Sequence, residues 1–239
     1  MKNLVKGVLL VALLAAGVLL HADVTVGTYI TGNCYPFLCN DSGTSSGPAI
    51  DYQQAYSHTA FPGVITITNL EFSYAAQFGG HSTMLNGMYE LFMSTSPNPF
   101  NALSPNQPSN RGTDLTGVAS FTVSNNNGCD FNPVCHITLS NPFTYDPSRG
   151  DLLLEIMVFD QDNIANGSGN GYVEADNSGN VTARTWCLGN TDCTNANVDT
   201  VGLVTTFTTG TTVPEPGTLL MLGSGIVGLA GVARRKFRG

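Results

Sequence analysis

Three observations predict an all-β body over residues 23–212, an antiparallel β-sandwich with jelly-roll topology preferred. Its apolar runs are short and rich in β-branched and aromatic residues. Clusters of Gly, Asn, Pro and Ser separate those runs, and none carries a convincing helical repeat. The stretch is also long enough for one sandwich or barrel rather than two small domains. No internal repeat points to an array or a propeller.

In chain order, the strand signature falls at 24–30, 50–56, 64–74, 88–95, 118–123, 136–139, 152–159, 181–186 and 201–208. Three of these runs say more than their existence. In 64–74, Ile65 and Ile67 lie on one phase while Leu70, Phe72 and Tyr74 lie on the other, so a bulge near Thr68-Asn69 is expected. In 88–95, Tyr89, Leu91 and Met93 share one face, as a half-buried strand requires. The run Leu152 to Phe159 is apolar on both phases except at Glu155, which predicts a central strand covered on both sides.

The two ends differ from the body. Lys2 and Lys6 precede the apolar stretch Val8 to Leu20, and Leu20-His21-Ala22 offers a small-residue cleavage site, so residues 1–22 are expected to form a secretory signal helix. At the other end, Val213-Pro214-Glu215-Pro216-Gly217 precedes the uncharged run Thr218 to Ala233 and the basic tail Arg234, Arg235, Lys236 and Arg238. As a helix that run reaches roughly 24 Å, short of a ~30 Å hydrocarbon core, and the basic tail completes the span by snorkelling to the interface. Both ends hold their positive charge in the cytoplasm, which places residues 23–212 beyond the inner membrane.

In the order Pro214-Glu215-Pro216, apolar run 218–233 and basic tail 234–239, the C-terminus resembles the sorting signal of the PEP-CTERM proteins of Gram-negative bacteria. The resemblance implies export through the Sec translocon and a precursor anchored in the inner membrane. It also implies recognition by an exosortase, a membrane-embedded cysteine transpeptidase or protease, with cleavage near the motif and transfer to the cell surface or extracellular matrix. The segment Asn141 to Asp151 ahead of the Leu-rich run is similar to a recurring piece of exported PEP-CTERM bodies with jelly-roll sandwiches.

With the targeting segments set aside, the body keeps only Arg111, Arg149 and Arg184 as Lys or Arg, against nearly all of the 17 acidic residues. It is therefore far more acidic than the −8 of the whole chain, and such a surface repels nucleic acid and anionic lipid. The six cysteines stand as three near neighbours, Cys34 with Cys39, Cys129 with Cys135 and Cys187 with Cys193. In an exported chain an even count favours disulfides, and local pairing is the simplest connectivity. A zinc site finds no suitable ligand spacing.

Candidate chemistry is sparse. His58, His81 and His136 form no ligand pair at helix or hairpin spacing, and Ser82 beside His81 lacks a nucleophile elbow. No catalytic residue is therefore assigned. Glu71, Glu90 and Glu155 lie within predicted strands, where two facing acids would serve a glycoside hydrolase, although exposed strand faces explain them equally well. Asp160, Asp162 and Asn163 concentrate oxygen donors that suit calcium, and a solvated Asx-rich loop is the alternative. Trp186, Tyr172, Tyr145 and Tyr56 are candidates for an aromatic platform that binds extracellular polysaccharide. The expected function is that of a non-enzymatic surface or matrix protein, structural or adhesive in the envelope or biofilm, with a carbohydrate-binding module and a secreted hydrolase as alternatives.

Overall fold

Thirteen strands, all paired antiparallel, make up the described part of the chain, and the short helical segments among them are all 3-10 turns. The computed structural model describes residues 23–39, 50–78, 83–124, 127–162, 171–189 and 192–210, with no side-chain description for 160–162. The predicted signal segment, the sorting segment 213–239, His81, Asn163 and the side chains of Asp160 and Asp162 lie outside the described residues.

In chain order the strands are β1 (Val24–Val26), β2 (Thr31–Asn33), β3 (Ile50–Tyr56), β4 (Ile65–Ser73), β5 (Asn86–Thr95), β6 (Thr116–Val123) and β7 (Val134–Tyr145). They continue as β8 (Leu152–Asp162), β9 (Val173–Asp176), β10 (Thr182–Leu188), β11 (Asn197–Asp199), β12 (Gly202–Leu203) and β13 (Thr205–Thr209). A four-stranded sheet runs β1-β13-β4-β7, a six-stranded sheet runs β11-β10-β3-β8-β5-β6, and a small sheet runs β12-β9-β2.

Period-two burial builds the core between the two large sheets. Tyr89, Leu91 and Met93 of β5 are buried together, as their alternation requires. Ile65 and Ile67 are buried on one phase of β4 and Leu70 and Phe72 on the other, with a register shift against β7 between Ile67 and Asn69. The expected bulge is thus present, and it keeps both halves of β4 facing one core. Aromatic rings join the sheets: Tyr56 of β3 stands edge-on to Phe207 of β13 at 4.9 Å, and Phe37 lies 5.1 Å from Phe72 and 6.2 Å from Tyr89. Each such pair contributes about 1 kcal/mol beyond the area it buries.

The central strand is β8, between β3 and β5, and Leu152 through Ile156 are buried on both phases. Leu152, Leu154, Ile156 and Val158 face the main core. Leu153 instead joins Ala55, Ala183 and Leu103 in a separate apolar cluster on the outer face, beneath the long β5–β6 connection. That connection is a strap of two 3-10 turns, Phe100–Ala102 and Gln107–Asn110.

Several expected boundaries move. The run 24–30 ends as a strand at Val26, turns at Gly27, where φ is +100°, and is followed by β2, which starts only at Thr31 and joins a different sheet. The run 201–208 likewise divides, with β12 in the small sheet and β13 in the four-stranded one. Strand β7 extends well beyond 136–139 because the bulge in β4 lets Phe143 and Tyr145 pair with Ile67 and Ile65. Strands β9 and β11, Val-Glu-Ala-Asp and Asn-Val-Asp, escape the sequence pattern because they carry too few apolar residues to alternate.

Candidate functional site

The outer face of the six-stranded sheet carries the most unusual chemistry among the described residues. Antiparallel register places Gln53 of β3 opposite Glu155 of β8 and Thr185 of β10, and Asp51 opposite Met157 and Cys187. Asp51, Gln53, Glu155 and Thr185 therefore share one face, where water would ordinarily solvate them. The strap removes that water: Asp51, Gln53, Gln107, Asn110 and Thr185 are fully buried and Glu155 is 1 % exposed.

Burial of this many polar groups is tolerable only if each finds a partner. Gln107 Nε2 donates to the Asp51 carbonyl at 3.0 Å and to Thr185 Oγ1 at 3.2 Å, and its own carbonyl accepts from Gln53 Nε2 at 3.0 Å. Asn110 Nδ2 donates to Gln53 Oε1 at 2.9 Å and to the Ser104 carbonyl at 2.9 Å, which ties the strap to itself and to the sheet. Arg111 then closes a bidentate pair on Glu155, with Nε 2.8 Å from Oε2 and Nη2 2.7 Å from Oε1. Its Nη2 lies 3.7 Å from Asp51 Oδ2, and its Nη1 pairs with Asp192. The next residue, Gly112, lies so close to the Thr95 carbonyl that a Cβ there would collide with backbone.

One atom stays without a partner. Asp51 Oδ2 accepts from the Asp192 backbone N–H at 2.9 Å, but the buried Oδ1 accepts nothing. Burial, and next the charge of Glu155, push the Asp51 carboxyl up to about 8, with the Asp192 N–H and Arg111 opposing. The neutral form of Asp51 is therefore favoured well above the usual carboxylate range. One guanidinium thus faces the carboxyl groups of Glu155, Asp192 and Asp51 together.

Asp192 sits in the loop closed by the Cys187–Cys193 disulfide, at a positive φ of 58°. The same loop lines a cleft of about 590 Å³ with Leu188, Thr194, Asn195 and Asn197. The other two expected bonds, Cys34–Cys39 and Cys129–Cys135, are also formed. Replacing both Cys187 and Cys193 by Ser should lower stability to urea by about 2 kcal/mol, the loop-entropy value for so short a ring. An unchanged urea midpoint would show that Arg111 and Asp192 hold the loop without the bond.

The other sequence candidates are dispersed. Glu71 stands on β4 of the four-stranded sheet, 3.2 Å from His136 Nδ1 and 3.1 Å from Thr208 Oγ1. Glu90 is on β5 opposite Met157, one diagonal step from Glu155, whose oxygens are already taken by Arg111 and Gln53. His58 Nδ1 lies 2.7 Å from Asp151, which also accepts from the backbone N–H groups of His58 and Phe100 and so ties three loops together. Among the described residues no group of three or more His, Cys, Asp or Glu is placed to hold a metal ion.

The expected aromatic platform is corrected. Tyr56 and Tyr145 are fully buried core residues. Trp186 is half-buried against the core with the Arg184 guanidinium 4.3 Å from its ring, and Arg184 is itself held by Asp199 at 2.8 and 3.0 Å. Only Tyr172 of the four remains partly exposed outside the core, beside rings that the sequence pattern did not single out.

A family model described as the PEP-CTERM protein-sorting motif matches residues 212–236. The chain carries a PEP-CTERM sorting signal. No curated protein and no solved structure matches the chain. The PEP-CTERM motif covers about a tenth of the sequence and makes the protein an exosortase substrate, exported as a membrane-anchored precursor. It does not extend to the Asp51–Arg111–Glu155 cluster, which belongs to the body that the signal delivers.

Proposed function

We propose that the delivered body is a non-enzymatic, structural or adhesive component of the cell envelope or biofilm matrix, exported through Sec with residues 1–22 as signal peptide. The observation that carries this reading is the PEP-CTERM signal, since exosortase sorting sends a body outward. The buried cluster agrees with it: Glu155 is sealed by Arg111 and the strap, an arrangement suited to fixing a long loop on a sheet. A jelly-roll topology is supported by the strand orders, with β1 beside β13, then β4 and β7, and with β3 beside β8, then β5 and β6. Two interleaved Greek keys place their eight strands in this way.

Replacing Pro214, Glu215 and Pro216 together by Ala tests the delivery. The variant is expected to remain in the inner membrane with Gly239 still present by mass spectrometry, while the unaltered protein reaches the surface lacking its tail. Equal surface amounts of both proteins would sink the reading. The structural role predicts that a strain lacking the chain forms a weaker matrix, measured as biofilm cohesion under shear. It also predicts full restoration by the body supplied with its sorting signal.

A further inference from the structure

We infer that Tyr29, Phe78 and Tyr172, gathered on the outer face of the small sheet over Gly32, form a binding platform for a neutral polysaccharide. Phe78 is exposed and Tyr29 and Tyr172 beside it are half-buried, and a contiguous aromatic group that reaches solvent marks a binding surface more often than isolated exposed residues do. Phe78 is 44 % exposed, and no other aromatic stands among the strongly exposed large hydrophobics of the described residues. The Phe78 ring is 6.3 Å from Tyr29, edge-on, and 6.4 Å from Tyr172, tilted, so the three make one continuous cluster.

The sheet builds this cluster deliberately. Gly32 of β2 pairs with Glu174 of β9, and a Cβ at Gly32 would meet Tyr172 Cβ at 2.8 Å and Phe78 at 3.1 Å. The Phe78 ring and the Tyr172 Cβ therefore rest on the bare backbone of Gly32, and a larger residue there would displace both side chains. The Tyr29 hydroxyl accepts from the Gln77 backbone N–H at 3.3 Å and the Tyr172 carbonyl accepts from the Ala75 N–H at 2.8 Å, which anchor two of the rings to the turn that carries Phe78. By register Glu174 emerges on the same face, and burial raises its carboxyl above the usual range.

Tilted rings with a carboxylate beside them suit a pyranose chain, whose C–H faces stack on aromatic faces while its hydroxyls donate to the acid. The polymer should be neutral, because a body with only three Lys or Arg residues repels an anionic one. The proposal rests on the surface delivery above only for where such a polymer is met, and binding in solution tests the platform independently of sorting.

The full-length chain in mild detergent would be run by affinity electrophoresis in native gels containing hydroxyethyl cellulose, glucomannan, xylan or dextran, with alginate as the anionic arm. Retardation is expected in at least one neutral gel and not in alginate. Phe78→Ala and Tyr172→Ala should each weaken that retardation by about tenfold or more in dissociation constant while leaving the far-ultraviolet circular dichroism unchanged. Gly32→Val should weaken it without removing any ring. No retardation in any neutral gel, retardation in alginate alone, or equal retardation of the Phe78 variant would each overturn the proposal.

Discussion

Arg111→Met is expected to destabilise the body by about 3–5 kcal/mol at neutral pH, the cost of leaving a buried carboxylate without its counter-ion. Glu155 is 1 % exposed and both of its oxygens bind the guanidinium, so water cannot replace the lost partner. The strap should loosen with it, because Arg111 directly follows the turn that carries Gln107 and Asn110. Urea unfolding of the two proteins measures the difference. Adding Glu155→Gln to the variant should recover part of the loss, since an amide asks for no charge. A loss below about 1 kcal/mol, or no recovery in the double variant, would show that the Gln and Asn network holds the strap without the ion pair.

The second large effect is a dependence of stability on pH that runs opposite to ordinary acid denaturation. The Asp51 carboxyl is raised from 3.8 to about 8, so between these values the folded state holds a proton that the unfolded state has released. Folding then binds protons, and stability is fully present below about pH 4, falls as pH rises toward about 8 and levels off above it. The slope reaches at most about 1.4 kcal/mol per pH unit for a single group. In Asp51→Asn this group's contribution to the slope should vanish, with the variant more stable than the natural protein above pH 8 because its amide needs no desolvated charge. Urea midpoints measured from pH 4 to 9 decide this, and parallel curves for both proteins would show that Asp51 is ionised in the fold.

How legible these groups were differs residue by residue. Glu155 is conspicuous as the one polar interruption in Leu152 to Phe159, yet an exposed strand face explains it equally well in the sequence, and its burial follows from the strap and from Arg111, 44 residues away on a connection with no periodic pattern. Asp51 and Gln53 on one face of β3 and Gln54 on the other are all fully buried, because the strap covers the first two and β12 the third. The available signal was modest: an arginine in a body with almost no cations is a candidate partner for a buried acid. Tyr29 and Phe78 gave less, since a single exposed ring and a single core ring look alike in a sequence of short strands.

Local alternation and end composition alone determined the all-β class, the run of β8, the bulge in β4 and the sorting signal at the C-terminus. Each of these depends on neighbours within a few residues: period two for a pleated strand, a phase slip for a bulge, and an uncharged run with a basic end for an anchor. Only the tertiary structure decided which strands share a sheet, that the β5–β6 connection seals an acid pair, and that Phe78 meets Tyr29 and Tyr172 beside Gly32. The physical reason is that burial on the outer face of a strand is set by whatever crosses it. In this chain the crossing element is a Pro-, Asn- and Ser-rich strap, held by a buried polar network and a small apolar cluster at Leu103, whose sequence has no period.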